Sequence, residues 1–185
     1  MAMNKYLYII TLNINGLNAP IKRHRIVEWI RNHDPHICCL QETHVRTKDL
    51  HNLKVKCWKQ ISQANRQEKK SQGKNTHNGK NRLQKKSHKK VPEGHFIILK
   101  GRTHQEDINI VNIHAPNIGA SKYIKKILED FKEGIDSNTI IVGDFNTPLS
   151  KMDRPSKQNI NKNIVALDNA LDEMDLTDIY RTFHP

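Results

Sequence analysis

The chain has 185 residues, 36% hydrophobic and 27% charged, with 31 Lys or Arg against 19 Asp or Glu for a net charge of +12. That length supports one domain with a sizeable core, and no apolar run approaches the roughly 20 residues a membrane-spanning helix needs. A positive surplus of this size favours a polyanionic partner, most simply nucleic acid, although a merely basic solvated surface would carry the same charge.

The first seven residues hold no long apolar run, so the chain reads as lacking a secretory leader. Tyr6 to Ile14 is rich in β-branched and aromatic residues and reads as a strand. Gly16 to Pro20 is a turn, and Pro20 suits the first position of a helix striped by Ile26, Val27 and Ile30. That helix fades at Asn32-His33-Asp34-Pro35. His36 to Gln41 is a short buried strand, and Val55 to Ile61 reads as another. Cys38, Cys39 and Cys57 are odd in number, and two are adjacent in an apolar run. They read as reduced, buried thiols of an intracellular protein, and their spacing to His36 and His44 fits no zinc pattern.

From Arg66 to Lys90 there are ten Lys or Arg, one acid (Glu68) and one large apolar residue, Leu83. Such a segment cannot bury enough surface to fold alone, so 66–92 reads as a disordered or looping interruption. Strands resume at His95 to Lys100 and Asp107 to His114. Ile124, Ile127, Leu128 and Phe131 then mark a helix, and Asn138 to Gly143 a strand. Ile160, Ile164, Leu167, Leu171 and Met174 mark a further helix, whose apolar face is core. Asp178 to Tyr180 begins one more element. The mixture points to a layered α/β fold with helices outside.

Polar residues recur where the apolar strands end: Asn13, Glu42, His114, and Asp144 with Asn146. Strand ends are where a sheet fixes geometry for a site. Carboxylates and amide oxygens are hard donors, suited to Mg²⁺, with Mn²⁺ an alternative, and to phosphoester chemistry. Each residue also has a purely local explanation. Asp144-Phe145-Asn146-Thr147-Pro148 is good turn chemistry, Glu42 with Thr43 can open the next segment, Asn13 can be a strand end without a role, and His114 a satisfied histidine.

Thr11-Leu12-Asn13-Ile14-Asn15-Gly16-Leu17-Asn18, Gln41-Glu42-Thr43-His44, Ala115-Pro116-Asn117 and Gly143-Asp144-Phe145-Asn146-Thr147-Pro148-Leu149 together resemble the endonuclease/exonuclease/phosphatase superfamily. Within it they closely resemble the N-terminal endonuclease domain of mammalian LINE-type (non-LTR) retrotransposons, from the second open reading frame. The resemblance runs from about Tyr8 to Pro185. It extends to Ile21-Lys22-Arg23-His24-Arg25 and Asp178-Ile179-Tyr180-Arg181-Thr182.

The resemblance implies a four-layer α/β sandwich, two packed β-sheets flanked by helices, here one domain over 5–185. It implies Mg²⁺-dependent hydrolysis of a DNA phosphodiester, nicking the strand that primes reverse transcription. Glu42 matches the metal-binding glutamate and Asn13 the active-site asparagine beside it. Asp144 and Asn146 match the pair that orients the nucleophile and holds the phosphate. His114 stands where the family usually has tyrosine, and an imidazole can also donate to phosphate. Asn117, Arg154, Lys85, Lys86, Lys89 and Lys90 are the expected nucleic-acid contacts.

Two further departures shape the expectation. Lys70 to Pro92 stands where the family has an apolar strand and its return, as if read in a shifted frame. The family pattern also continues with strands bearing an aspartate and a Ser-Asp-His, whose histidine is the general base, and nothing in these 185 residues matches them. The reading is therefore a partial sandwich, a truncated or degenerate copy, with weak or absent turnover. A basic nucleic-acid-binding remnant is the competing class. The expected partner is DNA, with no membrane, small-molecule substrate or stable oligomer, in an intracellular chain that is nuclear where expressed.

Overall fold

The protein's structure, a computed structural model, describes residues 7–44, 76–77, 87–90, 96–103, 106–149 and 162–183. The expected strand at Val55 to Ile61, as well as Cys57, Arg154, Lys85 and Lys86, lie outside them. The chain divides into two compact units, Met1–Ile113 with Asn138–Asp144, and His114–Ser137 with Phe145–Pro185.

In the first unit, β1 (Ile9–Asn13) and β2 (Ile37–Gln41) run parallel, with Ile9 opposite Ile37 and Asn13 opposite Gln41. A parallel pair needs a crossover, which α1 (Pro20–His33) supplies. Proline sits at its start, where a missing N–H costs nothing. The helix stops at Asp34, left-handed at φ 40°, whose N–H returns to the Ile30 carbonyl, and buried Pro35 follows. In its last turn the Trp29 and His33 rings stack with centroids 3.8 Å apart. β3 (Thr76–His77) adds an antiparallel strand beyond β2.

The second sheet has the order β4 (Ser87–Lys90), β5 (Phe96–Thr103), β6 (Glu106–His114), β7 (Thr139–Asp144). β5 pairs antiparallel with β4 and with β6. Strand alternation sorts the core. Ile37 and Cys39 of β2 face Leu99 and Ile110 of the second sheet, with Ile9, Ile108 and Val142 packed around them. Cys38 turns the other way onto Ile30, with Leu12, Ile26, Val27 and Leu40 about it. β2 is thus sandwiched between α1 and the second sheet, which is why its run of apolar residues does not alternate with polar ones. The fold is a mixed α/β sandwich of two packed sheets, as expected, with α1 on the outer face of the first.

The second unit holds α2 (Ala120–Phe131), a 3₁₀ turn (Lys132–Gly134), α3 (Lys162–Glu173) and the short α4 (Ile179–Phe183). Ile124, Ile127 and Leu128 of α2 and Leu167 of α3 are buried, as their spacing predicts, and α2 packs on α3. Among the described residues no helix is long and apolar enough to cross a membrane.

Of segment 66–92, expected to be disordered or looping, the described residues are Thr76–His77 and Ser87–Lys90, both strands. Lys89 and Lys90 lie opposite Ile98 and Ile97. Both strands are outermost in their sheets. An edge strand joins through backbone hydrogen bonds and can carry lysines that discourage further pairing. The apolar pattern used to find strands is therefore missing there.

Gly143, at φ 143°, is where β7 closes on β6: a Cβ there would overlap the Ile113 carbonyl oxygen and stand 2.8 Å from Gln41 Nε2. A backbone obstacle cannot rotate away. Gly143→Ala is expected to destabilise by more than about 3 kcal/mol, beyond ordinary overpacking, seen as a fall in the urea midpoint or loss of the transition.

The two described thiols give a second test. Burial, and secondarily the neighbouring Cys39, pushes the Cys38 thiol from 9.0 up to about 12, and burial pushes Cys39 up to about 12. The unfolded thiols ionise first, so this contribution is intact below pH 9 and is lost as pH rises toward 12. In a Cys57→Ser background, both thiols should resist Ellman's reagent at pH 8 and react on unfolding.

Candidate active site

The first sheet's parallel pairing continues past its strand ends as a laced pair of loops. Ile14 N donates to Gln41 O at 3.1 Å, Gly16 N to Glu42 O at 2.6 Å and Leu17 N to Thr43 O at 2.7 Å. Leu17 is fully buried beneath this lacing, against Ile14, Ile26, Val27 and Leu40. The first turn of α1 ties down the same loop. Lys22 Nζ donates to Asn15 O at 2.8 Å, and Arg23 Nη1 to Leu17 O at 3.0 Å and Asn18 O at 2.7 Å. Asn15 and Gly16 are left-handed, at φ 47° and 86°. So are Glu42 at φ 48° and His44 at φ 47°. A left-handed glutamate is uncommon and needs its surroundings to hold it; the paired loops supply that hold.

Asn13 lies at the end of β1 on the Ile9 face, and Asp144 at the end of β7 on the Val142 face, the faces that pack together in the core. Their side chains meet, Asn13 Nδ2 donating to Asp144 Oδ2 at 3.0 Å. Asn13 Oδ1 accepts from Asn15 N at 3.2 Å. That second bond sets which end of the amide is oxygen and turns the NH₂ toward the carboxylate. Glu42 directly follows β2, the strand paired with β1, and is half-buried.

Below these residues sits a polar link that the sequence reading quoted but assigned no role. Gln41 is buried, and its Nε2 donates to Asn112 Oδ1 and to Ile113 O, both at 2.8 Å. The link joins β2 to β6, one sheet to the other. The signal for it was a polar residue on the inward face of each strand, in Cys39-Leu40-Gln41 and Ile110-Val111-Asn112. Lys22, Arg23 and Gly143 were also missed as supports, their partners being loop carbonyls and strand backbone.

The second unit holds the other expected residues. His114 ends β6 and is half-buried. Asn117 is exposed in the segment before α2. Asn146 is left-handed at φ 47°, and its Nδ2 donates to Ala115 O at 2.8 Å. β7 ends at Asp144, and the turn chemistry of the motif takes over through Asn146. Lys89 and Lys90 lie in β4, and Arg154, Lys85 and Lys86 fall outside the described residues.

Among the described residues no three His, Cys, Asp or Glu side chains cluster as a metal cage. The donors of the first unit, Glu42, Asp144 and the Asn13 amide, are all oxygen. That set fits Mg²⁺, which keeps several waters and takes one or two carboxylates alongside a phosphate. The nearby thiols of Cys38 and Cys39 are held protonated by burial and are unsuited to ligation.

The fold and the sequence both have known counterparts. The endonuclease domain of TRAS1, a telomere-specific non-LTR retrotransposon, is similar with TM-score 0.61 at 11% identity, over 91% of this chain and 71% of that one. An AP endonuclease from Archaeoglobus fulgidus is similar with TM-score 0.62 at 19% identity, over 97% and 75%. D. rerio TDP2 complexed with single strand DNA product is similar with TM-score 0.59 at 13% identity, over 95% and 67%. At such identities the likeness is one of fold. The family model, described as the Endonuclease/Exonuclease/phosphatase family, matches residues 10–183. Nearly the whole chain is matched, including each strand end described above, and the protein belongs to the endonuclease/exonuclease/phosphatase family.

Proposed function

We propose that the strand-end residues serve Mg²⁺-dependent hydrolysis of DNA phosphodiesters, of the target-nicking kind used by LINE-type retrotransposons. The observation that carries this is the Asn13 to Asp144 hydrogen bond, which joins two motifs 131 residues apart. Glu42 is the residue to hold Mg²⁺, or Mn²⁺ in its place. A bound ion there would draw charge from a phosphate oxygen and stabilise the departing oxygen. Asn13 holds the Asp144 carboxylate, and that carboxylate orients the attacking water. The family resemblance assigns phosphate contacts to Asn146 and His114 and a nucleic-acid contact to Asn117.

A base must take the proton from water, a contribution of roughly 10²–10⁴-fold when positioned. These 185 residues contain no Ser-Asp-His triplet to match the family's base. The chain by itself is therefore assigned binding of Mg²⁺ and DNA with only slow nicking. Supercoiled plasmid incubated with the chain and Mg²⁺ should show trace open-circle product, absent with EDTA and absent in the Glu42→Ala, Asp144→Ala double variant. Equal background from both proteins would refute turnover. Fast nicking lost in the double variant would show that another group supplies the base.

The composition of 66–90 favours a second reading, nucleic-acid binding without turnover. Ten basic residues against one acid contact phosphates through charge alone. Changing Lys85, Lys86, Lys89 and Lys90 to Gln should reduce the slope of log affinity against log salt by up to about 3.6, at ~0.9 per phosphate contact. An unchanged slope would place the contacts elsewhere.

A further inference from the structure

We infer that Gln41 is a positioning residue: its buried amide fixes the spacing between the ends of β2 and β7, and so between Glu42 and Asp144. This rests on the reading of those two carboxylates as one site.

Three pieces of backbone converge on this amide. Gln41 immediately precedes Glu42. Its two N–H groups go to Asn112 Oδ1 and Ile113 O, each at 2.8 Å. The same nitrogen lies 2.8 Å from where a Cβ would stand on Gly143, the residue before Asp144. Both hydrogens of Nε2 are thus used, and the third neighbour is a glycine with no side chain to push the amide out. The orientation is determined as well. Turned over, the amide would set its own oxygen against two acceptors. A slide or rotation of β2 would break two hydrogen bonds in a place water does not reach, leaving donors unsatisfied at a cost well above that of an exposed bond.

Ordinary structural support would produce a similar burial, so the test must separate positioning from stability. Gln41→Met keeps the length and apolar bulk and removes both donors. Asn112→Ala removes one acceptor, leaves the carbonyl, and is the gentler variant should Gln41→Met fail to fold. Asn109→Ala is the control. Asn109 is equally buried in β6, but its side chain bonds Thr139 at the opposite end of β7.

In the full chain, the Asn13 side-chain NH₂ resonance reports the Asn13 to Asp144 bond directly and needs no metal. Its exchange protection should fall about tenfold or more in Gln41→Met and by less in Asn112→Ala, and stay unchanged in Asn109→Ala at a comparable melting temperature. Mn²⁺ titrated by paramagnetic broadening should bind about 10- to 100-fold more weakly to Gln41→Met, the usual penalty for losing a residue that orients a ligand. Wild-type protection in both the Gln41 and Asn112 variants, or equal loss in the Asn109 control, would overturn the inference. Absence of Glu42-dependent Mn²⁺ binding in the wild type would overturn the metal reading, and the Asn13 resonance would still decide the role of Gln41.

Discussion

A primary amide placed between two apolar sheets has to be hydrogen-bonded on both its N–H groups, or the sheets come apart there. Gln41 meets that constraint with a side-chain oxygen and a main-chain oxygen from the same strand, β6. The apolar contacts of Ile37, Cys39, Leu99 and Ile110 hold the sheets together without specifying register, because dispersion and hydrophobic burial are not directional. The Asn13 to Asp144 bond and the Gln41 amide are directional, and the amide is the buried one. An unsatisfied buried donor costs about 1–3 kcal/mol, enough to separate one register from its neighbours. Gly143 follows from the same constraint: β7 can reach the Ile113 carbonyl and the Gln41 amide only where it has no Cβ.

Backbone strain can be sorted by cause. Of the six non-glycine residues with positive φ among the described residues, Asp34 caps α1 and Asp175 follows α3. Those are ordinary helix endings. The other four, Asn15, Glu42, His44 and Asn146, sit in segments that follow strands. Asn tolerates this conformation through local hydrogen bonding, whereas Glu42 has no such ease. Its main-chain carbonyl is clasped by Gly16 N, and the loop bearing Gly16 is held by Lys22 and Arg23. The basic start of α1 therefore supports the acidic end of β2 through an intervening loop.

How far the sequence revealed this depends on the range of each interaction. Local periods gave β1, α1, β2, β5, β6, α2, β7 and α3, because each has an apolar face or run of its own. β3 and β4 escaped because edge pairing is a backbone property and leaves no period. Asn13 and Asp144 were grouped as polar residues at strand ends, and the motif resemblance gave them roles in one site. Nothing local to Leu12-Asn13 speaks of a partner 131 residues away. Gln41 and Asn112, 71 residues apart, were visible only as polar residues on inward faces. That signal says a partner must exist without saying which. The expectation of a hard cation rests on oxygen donors at strand ends and needs no tertiary detail.

Charge connects the composition to this site. The chain as a whole carries +12, while the first unit's strand ends present two carboxylates, Glu42 and Asp144, in the proposed place of a phosphate. A polyanion drawn by the basic surface meets local repulsion there. In water that repulsion is screened within about 8–10 Å at ordinary ionic strength, but half-burial of both carboxylates weakens the screening. A divalent cation removes the conflict, since it converts like charges into a bridge between carboxylate and phosphate. Long-range attraction and short-range repulsion then have different dependences: added monovalent salt weakens the first, and the cation reverses the second. Binding by charge alone needs only the basic surface. In the proposed reading, seating a phosphodiester at these strand ends needs the carboxylates to be neutralised as well, and that requirement links the proposed role of Gln41 to the proposed metal.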